Sequence, residues 1–186
     1  MIWLLAVFGA VAVWLGFTFN KLVSLKNQVT NALKQMDVQL KRRHDLIPNL
    51  VNSVKGYMKF EQETLEKVIQ ARNRAVSVSG AGVREVAQKE GELSQVLGRL
   101  FALAENYPDL KANQNVKSLM EELTHTENQV GFARQFYNDL VTQFNIAQQI
   151  FPSNLIAGTL GFSPAELFEI PAGSAQEREV PKVELT

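Results

Sequence analysis

Apolar residues run almost unbroken from Met1 to Phe19, with Ile2, Trp3, Leu4, Leu5, Val7, Phe8, Val11, Val13, Trp14, Leu15 and Phe17 among them. After Asn20 the pattern becomes periodic. Leu22, Val29 and Met36 recur every seven residues, with Leu25 and Ala32 between them and Leu33, Leu40 and Ile47 beside them. That spacing is the apolar stripe of a bundle helix. The first stretch is long enough to cross a bilayer, since about 20 residues at ~1.5 Å each match a hydrocarbon core of ~30 Å. No Lys or Arg precedes it, as a cleaved signal peptide would require. The pattern predicts a transmembrane anchor over 1–19 that continues into a helix over about 20–44.

The run Lys41-Arg42-Arg43-His44-Asp45 interrupts this stripe, and Pro48 follows. Asp45 is a good N-cap and Pro48 then falls in a first turn, so a second helix is predicted over 46–78. Ser77 to Gly82 reads as a turn. Val83, Val86, Leu93, Val96, Leu97, Leu100 and Phe101 mark a third helix, over 83–106, which Pro108 closes. Asn113 is a candidate cap for a fourth, over 114–150, whose stripe includes Val116, Met120, Leu123, Val130, Tyr137, Val141 and Phe144. Residues 151–170 form an apolar, glycine-containing segment, and 171–186 are charged and aperiodic, as in a disordered tail. The fold class is therefore all-α: a single transmembrane helix continuing into an up-and-down antiparallel four-helix bundle over 20–150.

Two expectations follow from that topology. The Lys41–Asn49 run and the Tyr107–Asn113 run should meet at the distal tip, with Asp109 pairing Arg42 or Arg43. Lys41, Arg42, Arg43, His44, Asp45, Tyr107, Asp109 and Lys111 would then form a partner-binding tip. Phe151, Leu155, Ile156, Leu160 and Phe162 should lie beside the membrane surface. On the last helix Glu127, Arg134, Asn138 and Asn145 fall in or beside the apolar stripe. They either pair within one bundle or, for Glu127 and Arg134, help form a subunit contact.

Composition narrows the chemistry. Lys plus Arg and Asp plus Glu are 19 each, so bulk charge implies no nucleic-acid partner. There is no cysteine, which removes disulfides, thiolate metal sites and thiol nucleophiles. Glu122-Leu123-Thr124-His125 has the Glu-x-x-His spacing of di-iron bundles, but those need two such motifs and the other histidine, His44, has no Glu three residues before it. No phosphate loop or nucleophile elbow is present. No cofactor, no metal and no catalytic activity are expected. Residues 1–20 carry no charge, and Lys21, Lys26 and Lys34 all follow the span. The positive-inside rule places the N-terminus outside and the bundle in the cytoplasm, on a bacterial inner membrane.

Asp37-Val38-Gln39-Leu40-Lys41-Arg42-Arg43-His44-Asp45-Leu46-Ile47-Pro48-Asn49-Leu50-Val51 resembles the hallmark run of the LemA family of bacterial membrane-anchored proteins. Tyr107-Pro108-Asp109-Leu110-Lys111-Ala112-Asn113 resembles that family's second motif. Thr126-Glu127-Asn128, Ala133-Arg134, Tyr137-Asn138 and Phe151-Pro152-Ser153-Asn154 resemble its last helix and exit. The resemblance covers roughly residues 20–168. It implies membrane anchoring and a helical fold, similarity to proteins of magnetosome membranes, and no established catalytic activity. Phe60 stands before Glu61 where the family often has a histidine, so no histidine chemistry is implied there. The expectation is a membrane-anchored scaffold or adaptor that contacts the lipid bilayer, associates with itself and binds protein partners of unknown identity. The alternative is an accessory factor of a membrane signalling or stress-response system.

Overall fold

The computed structural model describes residues 1–170, apart from the side chain of Lys111. The tail expected to be disordered, 171–186, lies outside the described residues, as does the Lys111 side chain. The chain is all-α. Its elements are α1 (Ile2–Val54), α2 (Gln62–Ser77), α3 (Val83–Ala104), α4 (Pro108–Ala112), α5 (Gln114–Gln149) and a 3₁₀ turn at Ser153–Leu155. The long N-terminal apolar helix packs against later helices, several of which run antiparallel. It divides into two compact units. One comprises Met1–Leu40 with Gln129–Leu167, and the other Lys41–Asn128 with Phe168, Glu169 and Ile170.

α1 is a single helix of 53 residues with Pro48 inside it, so the break expected at Arg43–Asp45 does not occur. Two contacts explain the difference, one local and one from α2. The Asp45 carboxylate accepts a hydrogen bond from Lys41 Nζ one turn back, at 2.7 Å, and caps nothing. Pro48 has no N–H to give to the carbonyl of His44, four residues earlier. Arg72 of α2 supplies the missing donor, its Nε lying 3.1 Å from His44 O. The helix ends at Val54, two residues before Gly56, and Met58 then turns inward and is fully buried. The predicted helix over 46–78 is thus the end of α1, a loop over 55–61, and α2.

In the first unit, Ile2, Trp3, Leu4, Leu5, Val7 and Phe8 are 61–84% exposed. A helix whose apolar residues face outward on all sides is suited to lipid rather than to a protein core. This is the one candidate membrane span among the described residues. Burial begins near Thr18 and Leu22 and continues through Val29, Ala32, Met36 and Leu40, matched on α5 by Val130, Tyr137, Leu140, Val141, Phe144 and Ala147. Past α5, Phe162 folds back so that its ring meets Phe19 and Phe144 edge-on, with centroids 5.9 and 6.3 Å apart. Asn145 exchanges two hydrogen bonds with the backbone of Ala165, and Tyr137 Oη donates to Glu166 O at 2.8 Å.

In the second unit α2 and α3 form a hairpin through the turn at 78–82, where Gly80 has φ +87°. The core joins Ile47, Leu50, Val51 and Val54 of α1 to Leu65 and Val68 of α2, Leu93, Leu97 and Leu100 of α3, and Val116 and Leu123 of α5. Asn113 caps α5 as expected, its Oδ1 accepting from the N–H groups of Asn115 and Val116 at 3.0 and 3.2 Å. Phe168 is buried, and Ile170 lies against Gly91 of α3, where a Cβ would sit 2.6 Å from its methyl group. The last residues of the segment expected beside the membrane therefore belong to this unit's packing.

Candidate functional site

The run that looked like an exposed corner is split by helical geometry. Successive residues of a helix point about 100° apart, so three consecutive cations cannot share one face. Lys41 is exposed and pairs with Asp45, while Arg42 reaches Glu122 of α5 at 2.9 Å. Arg43 turns inward and is completely buried.

There Arg43 binds three side chains from two helices. Its Nη1 donates to both oxygens of Glu127 at 2.8 and 3.0 Å and to Ser94 Oγ at 2.8 Å, and its Nη2 pairs with Glu90. Ser94 in turn donates to Glu127 Oε2 at 3.2 Å. His44, also buried, places Nε2 2.9 Å from the other oxygen of Glu90. The result is a largely buried polar network tying α1 to α3 and α5, with Glu127 partly exposed at its edge. Burial pushes the Glu90 carboxyl up, but hydrogen bonding to His44 and the charges of Arg43 and His44 outweigh it and hold it below its usual value. A guanidinium held by two carboxylates is a stable cross-brace. Removal of either partner leaves a buried charge unmatched.

The expected tip is therefore corrected. Arg43 and His44 are interior, and Asp109 pairs with neither Arg42 nor Arg43. The loop containing Tyr107 does meet a second loop, but it is 55–61. Tyr107 Oη lies 3.3 Å from Glu61 Oε1, and Asn113 Nδ2 donates to Tyr57 Oη at 2.8 Å. These bonds pin a turn from which Phe60 projects, 95% exposed. Asp109 is exposed and Tyr107 half-buried beside it.

Of the four polar groups on α5, Glu127 and Asn145 pair within the chain, and Asn138 also has a partner. Arg134 and Asn138 are half-buried, and Arg134 makes no ion pair among the described residues. Glu90 went unrecognised in the sequence although a signal was present. It falls between Ala87 and Leu93 at steps of three, on the stripe that continues to Leu97 and Leu100. Two surface grooves lie in the same unit. One, of about 560 Å³, runs between α1 and α2 past Val51, Leu65 and Ile69. The other, of about 660 Å³, runs along α5 past Met120 and His125. Among the described residues no three His, Asp or Glu side chains converge as a metal site would need.

The family model described as the LemA family matches residues 32–185. The chain belongs to the LemA family. It is similar to the protein LemA of Metamycoplasma hominis, with 28% identity over 150 residues that cover 81% of this chain and 68% of the relative. It is also similar to magnetosome protein MamQ 2 of Paramagnetospirillum magneticum, 25% identical over 180 residues covering 83% of this chain. MamQ of Magnetospirillum gryphiswaldense is 22% identical over the same share. The chain spans 66% of the length of each of these two magnetosome proteins. Residues 37–51, which lie within the matched region, are thus the part of α1 that carries Arg43 and His44 into the core.

Proposed function

We propose that this LemA-family chain is a single-pass membrane-anchored helical scaffold without catalytic activity, which associates with itself and docks protein partners. The observation that carries the reading is Phe60. A large aromatic side chain, 95% exposed on a turn pinned by the Tyr107–Glu61 and Asn113–Tyr57 bonds, is a rigid apolar knob of the kind that anchors protein interfaces. The docking surface is accordingly the loop pair 55–61 and 105–113, with Tyr57, Phe60 and Asp109, rather than Lys41–Asp45. The absence of catalysis is supported by the state of the most reactive groups. Arg43 is ion-paired with Glu90 and Glu127, and His44 lies against Glu90, so these groups face one another in the interior rather than an open cleft. The lysines that follow the span support an outside N-terminus and a cytoplasmic bundle.

Native sizing of the full chain in mild detergent, with photo-crosslinking in cells from position 60, tests the reading. A large homo-oligomer with crosslinks at position 60 that disappear in Phe60→Ser is the expected result. A monomer that co-purifies with a histidine kinase or protease would instead establish the accessory role in signalling.

A further inference from the structure

Beyond the span itself, the chain carries a second apolar surface. Residues 140–165 contain no Asp, Glu, Lys or Arg. Within them Ile150, Phe151, Leu155 and Leu160 are 47%, 78%, 67% and 40% exposed. This is not a loose tail. The backbone is folded on itself, with Ile156 and Ala157 bonding back to Ser153, Leu160 to Ile156 and Phe162 to Ala157. A segment that pairs many of its own peptide groups yet turns its large apolar side chains outward suits the headgroup–acyl boundary of a bilayer.

Its position in the first unit says what covers it. Phe162, at the end of the segment, is buried, and its ring stands 5.9 Å from that of Phe19, the last apolar residue before Asn20. Lys26 Nζ lies 5.9 Å above the same ring. Phe162 is therefore an internal bolt rather than a lipid contact, and it holds the segment where the apolar run of α1 gives way to its first lysines. We propose that Ile150, Phe151, Leu155 and Leu160 form a membrane-interface platform, a second lipid contact in the same chain. It rests on the anchor reading of residues 1–19. With the span as one point of attachment and the platform as another, this unit would meet the bilayer at a fixed tilt. A lone helix can swivel.

The absence of cysteine makes the test direct. Single cysteines at Phe151, Leu155 and Leu160 carry spin labels in the full chain reconstituted in phosphatidylcholine vesicles. Phe8 provides the bilayer control and the exposed Asn52 the aqueous control. The ratio of collision with oxygen to collision with a water-soluble nickel chelate reads immersion depth. The expected ratios at 151, 155 and 160 are several-fold above that at 52 and below that at 8. Ratios equal to position 52, with position 8 still immersed, overturn the platform and leave the anchor standing. Aqueous values at position 8 as well overturn both. Dipolar broadening at 155 that vanishes on dilution with unlabelled chain would show a second copy covering the surface, which also overturns the proposal.

Discussion

Arg43 occupies the stripe Met36, Leu40, Arg43, Ile47, Leu50, Val54, whose steps of four and three are those of one uninterrupted helix. A cation in that register must find carboxylates inside, and Glu90 and Glu127 answer it. Arg43→Met should therefore destabilise the protein by about 3–5 kcal/mol, because two acidic groups lose their counter-charge in the interior. Denaturant unfolding of the full chain in detergent measures this. Replacing Arg43, Glu90 and Glu127 together with apolar residues should restore most of the loss. The pH dependence follows from Glu90. Its folded pKa lies below the ordinary 4.5, so its contribution is complete above about pH 4.5 and is lost as pH falls through the folded value. Wild type should lose thermal stability more steeply than Glu90→Gln on acidification from about pH 6 to about pH 3. Equal slopes would show that the network is not the acid-labile part.

Pro48 decides the architecture of α1 through its neighbour. A proline inside a helix costs ~3 kcal/mol, partly because it leaves a carbonyl without a donor. Arg72 reduces that penalty by bonding His44 O, so the two residues should be coupled. Arg72→Met is expected to cost about 1–3 kcal/mol in the native background and clearly less in Pro48→Ala, where the helix supplies its own N–H. A double-mutant cycle with no coupling would refute this account of the continuous helix. Gly80, at φ +87° between α2 and α3, is the other backbone requirement. Gly80→Val should destabilise by about 1–2 kcal/mol with no loss of contact in the core, measured by the same unfolding curves.

For the molecule as a whole, residues 1–17 carry apolar surface that neither unit buries, with Trp14 alone partly covered. Deleting them should sharply lower the share of the chain at the membrane, leaving only the weaker hold of the platform, while the far-ultraviolet helical signal of the remaining residues persists. Loss of helix along with membrane association would mean that the span is part of the fold rather than an attachment to it. Phe19 has to be retained in that truncation because Phe162 packs against it.

Much of this was legible one residue type at a time. A charge-free apolar run reports a membrane, a period near 3.6 reports helices, and Asn113 reports a cap, because each depends on neighbours within about one turn or on length alone. The sequence by itself thus determined an all-α chain with an N-terminal helix long and apolar enough to cross a membrane, and the start of its last helix. It did not determine where α1 ends. Asp45 and Pro48 are sound local signals for a break, and they were overruled by Arg72, 28 positions from His44. Nor could it show that Arg43 and His44 are interior, since their partner Glu90 is 47 positions from Arg43 and Glu127 is 84 away. Only the tertiary structure decided these points: the free energy of a buried charge depends on which groups the fold brings within about 3 Å, and sequence separation carries no information about that distance.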